Sequence, residues 1–257
     1  MTRPAEQAVF WSAAAFFAAS AIATVYFVRA MPGGMQMAGG WTMSMMWMRM
    51  PGQGWLSSLL LFATMWLAMM VAMMLPSALP MFLIFEKTAR FRGDRHVGLA
   101  TWCLGTGYFA SWLAFGLVAY ACGVGIARVA MASDLISRAI PIACGISLIG
   151  AGAYQLTPLK GTCLKHCRDP LGLIADHVGK GWRGAAALGA HHGAFCAGCC
   201  WSLMLIQLVV GVMNLPAMIL IAVVISAEKL LPIGVQVARG VGIVSIAAGA
   251  LVALQAL

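Results

Sequence analysis

Apolar residues run along this chain in seven long blocks, at about 8–29, 55–83, 98–125, 139–157, 185–210, 215–231 and 237–256, and the short segments between them hold nearly all the charge. Each block is close to the ~20 residues that a helix needs to cross a ~30 Å hydrocarbon core. A backbone in lipid must satisfy its own hydrogen bonds, so blocks of this length predict helices. The expectation is an all-α, polytopic transmembrane helical bundle of six or seven spans. The number is left open because Glu228, Lys229 and Pro232 interrupt the last two blocks, which also read as a re-entrant hairpin. The chain divides into a first transmembrane helix over 1–30, an outer loop over 31–54 and a bundle over 55–257. The first block is too long for a signal-peptide core and no small-residue cleavage site follows it, so it is expected to be retained.

Composition agrees with the pattern: 62% of residues are hydrophobic and 9% charged, which excludes an ordinary soluble domain. A net charge of +9 raises the question of nucleic acid, but the basic residues lie in the segments between apolar blocks, where topology explains them. Arg3, Lys87, Arg90, Arg92, Arg95, Lys160, Lys165, Arg168, Lys180, Arg183, Lys229 and Arg239 fall on one side, against Arg29, Arg49, Arg128 and Arg138 on the other. The positive-inside bias puts the N-terminus, the 86–97 loop and the 158–184 loop in the cytoplasm, in a bacterial inner membrane, with no nucleic acid partner. Asp94, Asp134 and Asp176 read as solvated loop residues. Pro76 and Pro80 are expected to kink or break the second span, and the glycines of the third and fourth spans to let helices approach closely.

The fifth block carries the strongest chemical signal, His191-His-Gly-Ala-Phe-Cys-Ala-Gly-Cys-Cys-Trp201. A lipid-spanning helix gains by being uniformly apolar, so a histidine pair and three thiols there need a reason beyond burial. His192, Cys196, Cys199 and Cys200 follow at helical spacing and share one face. Imidazole and thiolate on one stripe suit a soft or borderline metal, Cu(I) or Zn(II). Small cysteines also pack well between helices, which is the competing explanation.

Three further groups extend the ligand set. Cys163, His166 and Cys167 lie in the segment after the fourth block, where the two thiols meet on one face if that segment is helical. Methionine is concentrated in the outer loop from Met31 to Met50 and on the second span, where Met69/Met73 and Met70/Met74 are i, i+4 pairs. Thioethers favour Cu(I) and need no deprotonation, although methionine is also a common core filler. Glu228 reads either as an interfacial charge paired with its neighbour Lys229, or as an oxygen ligand or proton acceptor.

The segments Met73-Met-Leu-Pro-Ser-Ala-Leu-Pro80, Tyr154 to Leu171, His192 to Trp201, Val212-Met-Asn-Leu and Glu228-Lys-Leu-Leu-Pro resemble those of the predicted metal-binding integral membrane proteins, domain-of-unknown-function family 2182. The resemblance covers roughly residues 55–235 and leaves out the Met-rich loop. It implies a polytopic membrane protein and metal binding at Cys163, His166, Cys167, His192, Cys196, Cys199 and Cys200, and supplies no reaction.

The sequence thus predicts a membrane protein that binds a soft transition metal, copper ahead of zinc, for transport or delivery, with a metallochaperone or metalloenzyme as its partner besides the lipid bilayer. His192, Cys196, Cys199 and Cys200 are the expected ligands. Cys163, His166 and Cys167 form a second site or complete the first, and Met69, Met70, Met73 and Met74 are transient contacts. The alternatives are a membrane thiol-disulfide oxidoreductase using Cys196 and Cys199, and an accessory subunit for metalloenzyme maturation. No phosphate-binding loop with its lysine is present, which argues against ATP-driven pumping by this chain alone.

Overall fold

The computed structural model describes residues 4–31, 33–49, 52–169, 171–177 and 181–256, and the side chains of all of these except 4–6 and 175–177. Arg3, Met50 and Lys180, used in the expectations above, lie outside the described residues, as does the side chain of Asp176. The architecture is the expected all-α bundle, with helices α1 Pro4–Ala30, α2 Trp55–Phe91, α3 Val97–Ala132, α4 Asp134–Gln155, α5 Pro158–Arg168, α6 Leu171–His177, α7 Gly181–Val210, α8 Leu215–Leu230 and α9 Gly234–Gln255. Six of them, α1 to α4, α7 and α9, are long and apolar enough to cross a membrane. The open question of six or seven spans therefore rests on α8, which has 16 residues, about 24 Å at ~1.5 Å per residue.

Helix boundaries depart from the apolar blocks in an instructive way. Pro76 and Pro80 do not break α2, which continues without interruption to Phe91. Both prolines lie on the exposed side of α2, while most of the residues around them are buried. The expected 86–97 loop shrinks to the turn Arg92–His96, with Gly93 at a φ of +78°. Asp134 and Asp176 are not loop residues: the first opens α4 and the second lies in α6. Hydropathy marks where lipid ends, whereas a helix stops only where its capping and turn residues tell it to.

The expected 158–184 loop is likewise a helical segment. Thr157 accepts a hydrogen bond from the Lys160 amide, and Pro158 occupies the first turn, where its missing N–H costs nothing. Helix α5 thus starts directly after α4 and lies against α7.

Two glycine seams fix the bundle. Along α3 and α7, which run parallel, a Cβ on Gly189 would strike the Leu104 carbonyl, and one on Gly193 would lie 2.6 Å from that of Tyr108. Ser111 adds a hydrogen bond to the Ala190 carbonyl at 2.9 Å. Helices α4 and α9 run antiparallel, with Gly145 against Gly249 and Gly152 against Gly242. Close backbone approach is the main source of helix association where lipid offers no hydrophobic gain.

The described part of the segment between α1 and α2 is more ordered than a loop. Strands β1 Gly34–Gln36 and β2 Thr42–Ser44 pair antiparallel and lead into a single 3-10 turn at Met45–Trp47. Arg49 and Arg128 both stack on the Trp55 ring, at 4.2 and 4.5 Å, so the start of α2 and the end of α3 share this end of the molecule.

Candidate metal centre

Helix α7 turns His192, Cys196, Cys199 and Cys200 inward, and all four are buried, the three cysteines completely. No sulfur of this helix faces the surroundings of the bundle. Cys199 Sγ and Cys200 Sγ are 3.7 Å apart, Cys196 lies close enough to Cys200 to interact with it electrostatically, and Cys167 of α5 does the same with Cys199. Four thiols from two helices therefore lie in one neighbourhood. All eight cysteines are free.

The remaining residues named from the sequence are placed differently. Cys163 lies beside Gly198 and near Tyr154. His166 stacks on Phe195 with ring centroids 4.0 Å apart, and its Nε2 is buried without a partner. The His192 ring lies 5.8 Å from that of Tyr108, and its Nδ1 is also buried without a partner. Met69, Met70, Met73 and Met74 are all core residues of α2. Met69 and Met73 edge a groove between α1, α2 and α8. Among the described residues, no three His, Cys, Asp or Glu side chains are arranged to hold a metal ion together.

Two lysines missed by the sequence reading surround the thiols. Lys229 Nζ donates to Cys196 Sγ at 2.8 Å and reaches Ser77 Oγ at 3.5 Å. Lys160 Nζ pairs with Glu228 at 2.6 Å and donates to the Cys199 carbonyl at 2.7 Å. Glu228 is therefore not an interfacial charge paired with Lys229: it is fully buried, and its two oxygens meet Lys160 and Gln155. Consecutive helical residues point in different directions, which is why the neighbours serve separate partners. Burial alone would lower the Lys160 pKa, but Cys199, Cys200 and Glu228 outweigh it and hold the ammonium above its ordinary value.

Tyr108 was also unmarked in the sequence, yet its hydroxyl lies 2.9 Å from Cys196 Sγ. Tyr154 donates to the Gly198 carbonyl at 2.7 Å. One signal for the lysines was present: ionisable residues inside apolar helices find buried partners by default. Tyr108 had none, being one aromatic among many in an apolar block.

The arrangement offers soft donors in pairs, enclosed in an apolar core, with one ammonium directly on a sulfur. Among the described residues, Lys229 has no carboxylate at ion-pair distance. A family model described as a copper chaperone, PpoB2, matches residues 63–252. No curated protein and no solved structure matches the chain.

Proposed function

The chain belongs to the PpoB2 copper chaperone family, and on that premise we propose that it carries Cu(I) as cargo between thiolate pairs drawn from Cys196, Cys199, Cys200 and Cys167, and delivers it within a bacterial inner membrane. The observation that carries this reading is the Lys229 ammonium lying 2.8 Å from Cys196 Sγ, beside the Cys199 and Cys200 thiols that meet at 3.7 Å. An unpaired charge in such a core is costly. Cu(I) held by two thiolates has one net negative charge, and the adjacent ammonium cancels it. The loaded centre is then neutral and stable in an apolar interior, while the thiolates remain exchangeable.

Soft thiolate ligands select Cu(I) over hard ions, and a closed-shell ion accepts two donors as readily as three. The lack of a three-ligand cage among the described residues fits a carrier that must release its cargo. Cys167, only half-buried on α5, is the thiol placed to pass copper to a metallochaperone or metalloenzyme. His192 would contribute an imidazole, and Met70 and Met74 thioethers, during exchange. The N-terminus lies in the cytoplasm in this reading.

The test is the copper content of full-length protein purified in detergent under reducing conditions. Wild type is expected to hold copper, and Cys196→Ser and Cys199→Ser to lose most of it. Equal copper in all three would refute the proposal. The same Lys229 contact favours a second reading, because an adjacent cation activates a thiol for disulfide exchange. A metal-free protein that cycles between dithiol and disulfide would establish that alternative.

A further inference from the structure

Five methionines, Met31, Met45, Met46, Met48 and Met65, line one cavity of about 30 Å³ at the end of the bundle formed by the hairpin and the start of α2. That clears the ~10–15 Å³ that a single water needs, so the space takes one small ion. The polar side chains on its wall are Gln53 and Ser58, which bond to each other at 3.3 Å. Among the described residues, no carboxylate, imidazole or thiol lines it.

The cavity is held by the fold at three points. Trp47 packs 6.0 Å from Phe62 and fills the space that a side chain at Gly123 would need. Ser44 caps the 3-10 turn that presents Met45 and Met46. Trp41 Nε1 donates to the Ser137 carbonyl at 2.9 Å, and Ser137 Oγ to the Ala38 carbonyl at 2.7 Å, tying the hairpin to the start of α4. Surface methionines on a free loop would need none of this.

We propose that this cavity is a second, thioether-only binding site for a soft monovalent cation, Cu(I), which captures the ion before it reaches the thiols. The capture step rests on the copper reading given above. Thioethers are neutral and cannot form disulfides, so the site stays competent in an oxidising compartment. They bind Cu(I) and discriminate against hard ions. From Met65, the positions Met69, Met73 and Ser77 follow at four-residue steps along α2, and Ser77 meets Lys229 at the thiol cluster. The distance is about 18 Å at ~1.5 Å per residue. One continuous buried cluster joins Met46 and Met65 to Cys196, Cys199 and Cys200. The ion changes ligands along this route without changing oxidation state.

Full-length protein in detergent, titrated anaerobically with Cu(I) against a chromogenic Cu(I) chelator, tests this. Wild type should take up two classes of ion, one of them dependent on Cys196. The volume-conserving M45L/M46L/M48L variant should lose the other, or weaken it at least about tenfold, and Met65→Leu should act the same way from within α2. M35L/M37L, in the same hairpin but off the cavity wall, should keep both. Retention of both ions in the triple variant and in Met65→Leu would overturn the cavity site and leave the thiol reading standing. Loss of one ion in those variants, with both retained in Cys196→Ser, would support the cavity and remove the thiol reading.

Discussion

Glu228 and Lys229 are adjacent in sequence and hold different parts of the molecule together. Glu228 anchors Lys160 at 2.6 Å, whereas Lys229 reaches Cys196 and Ser77. Removing one member of a buried pair strands the other charge, at a cost of about 3–5 kcal/mol, while replacing both with apolar groups is often neutral. Lys160→Met should therefore lower the melting temperature of the detergent-solubilised protein markedly, and K160M/E228M should regain most of the loss. A single variant as stable as wild type would show that the pair contributes nothing. At this scale the sequence was partly legible. The stripe of His192, Cys196, Cys199 and Cys200 followed from helical spacing alone, and all four are buried. The partner of Glu228 was not readable, because Lys160 is 68 residues away and only the packing of α5 against α8 brings it near.

At the scale of elements, α3 and α7 approach so closely that Gly189 has no room for a side chain beside the Leu104 carbonyl. Overpacking of this kind costs about 1–3 kcal/mol. Gly189→Ala should reduce thermal stability by that order and also lower copper content, because separating the helices pulls Tyr108 from Cys196. Unchanged stability and copper would mean that the seam has slack. The Thr157-Pro158 start of α5 was written in the sequence as a cap followed by a proline, yet the segment read as a loop because its composition is polar. Pro76 and Pro80 misled in the opposite direction. Local chemistry allowed a kink or a break in α2, and the helix runs on unbroken to Phe91 with both prolines on its exposed side.

For the whole molecule, the all-α bundle was legible because lipid admits few alternatives to the helix. The charge bias needs one revision. Lys160 and Lys229 are buried and belong to the interior, and without them the excess still favours the same end. Reporter fusions after residue 94 and at the C-terminus should accordingly give opposite signals, cytoplasmic and outer respectively. Matching signals would mean that α8 fails to return the chain across the bilayer. What sequence patterns did not contain was the Met-lined cavity itself, since it exists only where the hairpin folds onto the start of α2.

The Lys160 ion pair also orders the assembly of the protein in time. A nascent chain inserts α4, α5 and α7 before α8 is translated, so Lys160 must wait for a counter-charge that arrives 68 residues later. Until then water has reason to follow the ammonium into the half-built core. A chain that ends before Leu215 carries the thiols and Lys160, but lacks the carboxylate that pairs with it. Completion of the eighth helix is thus the moment at which the centre is sealed.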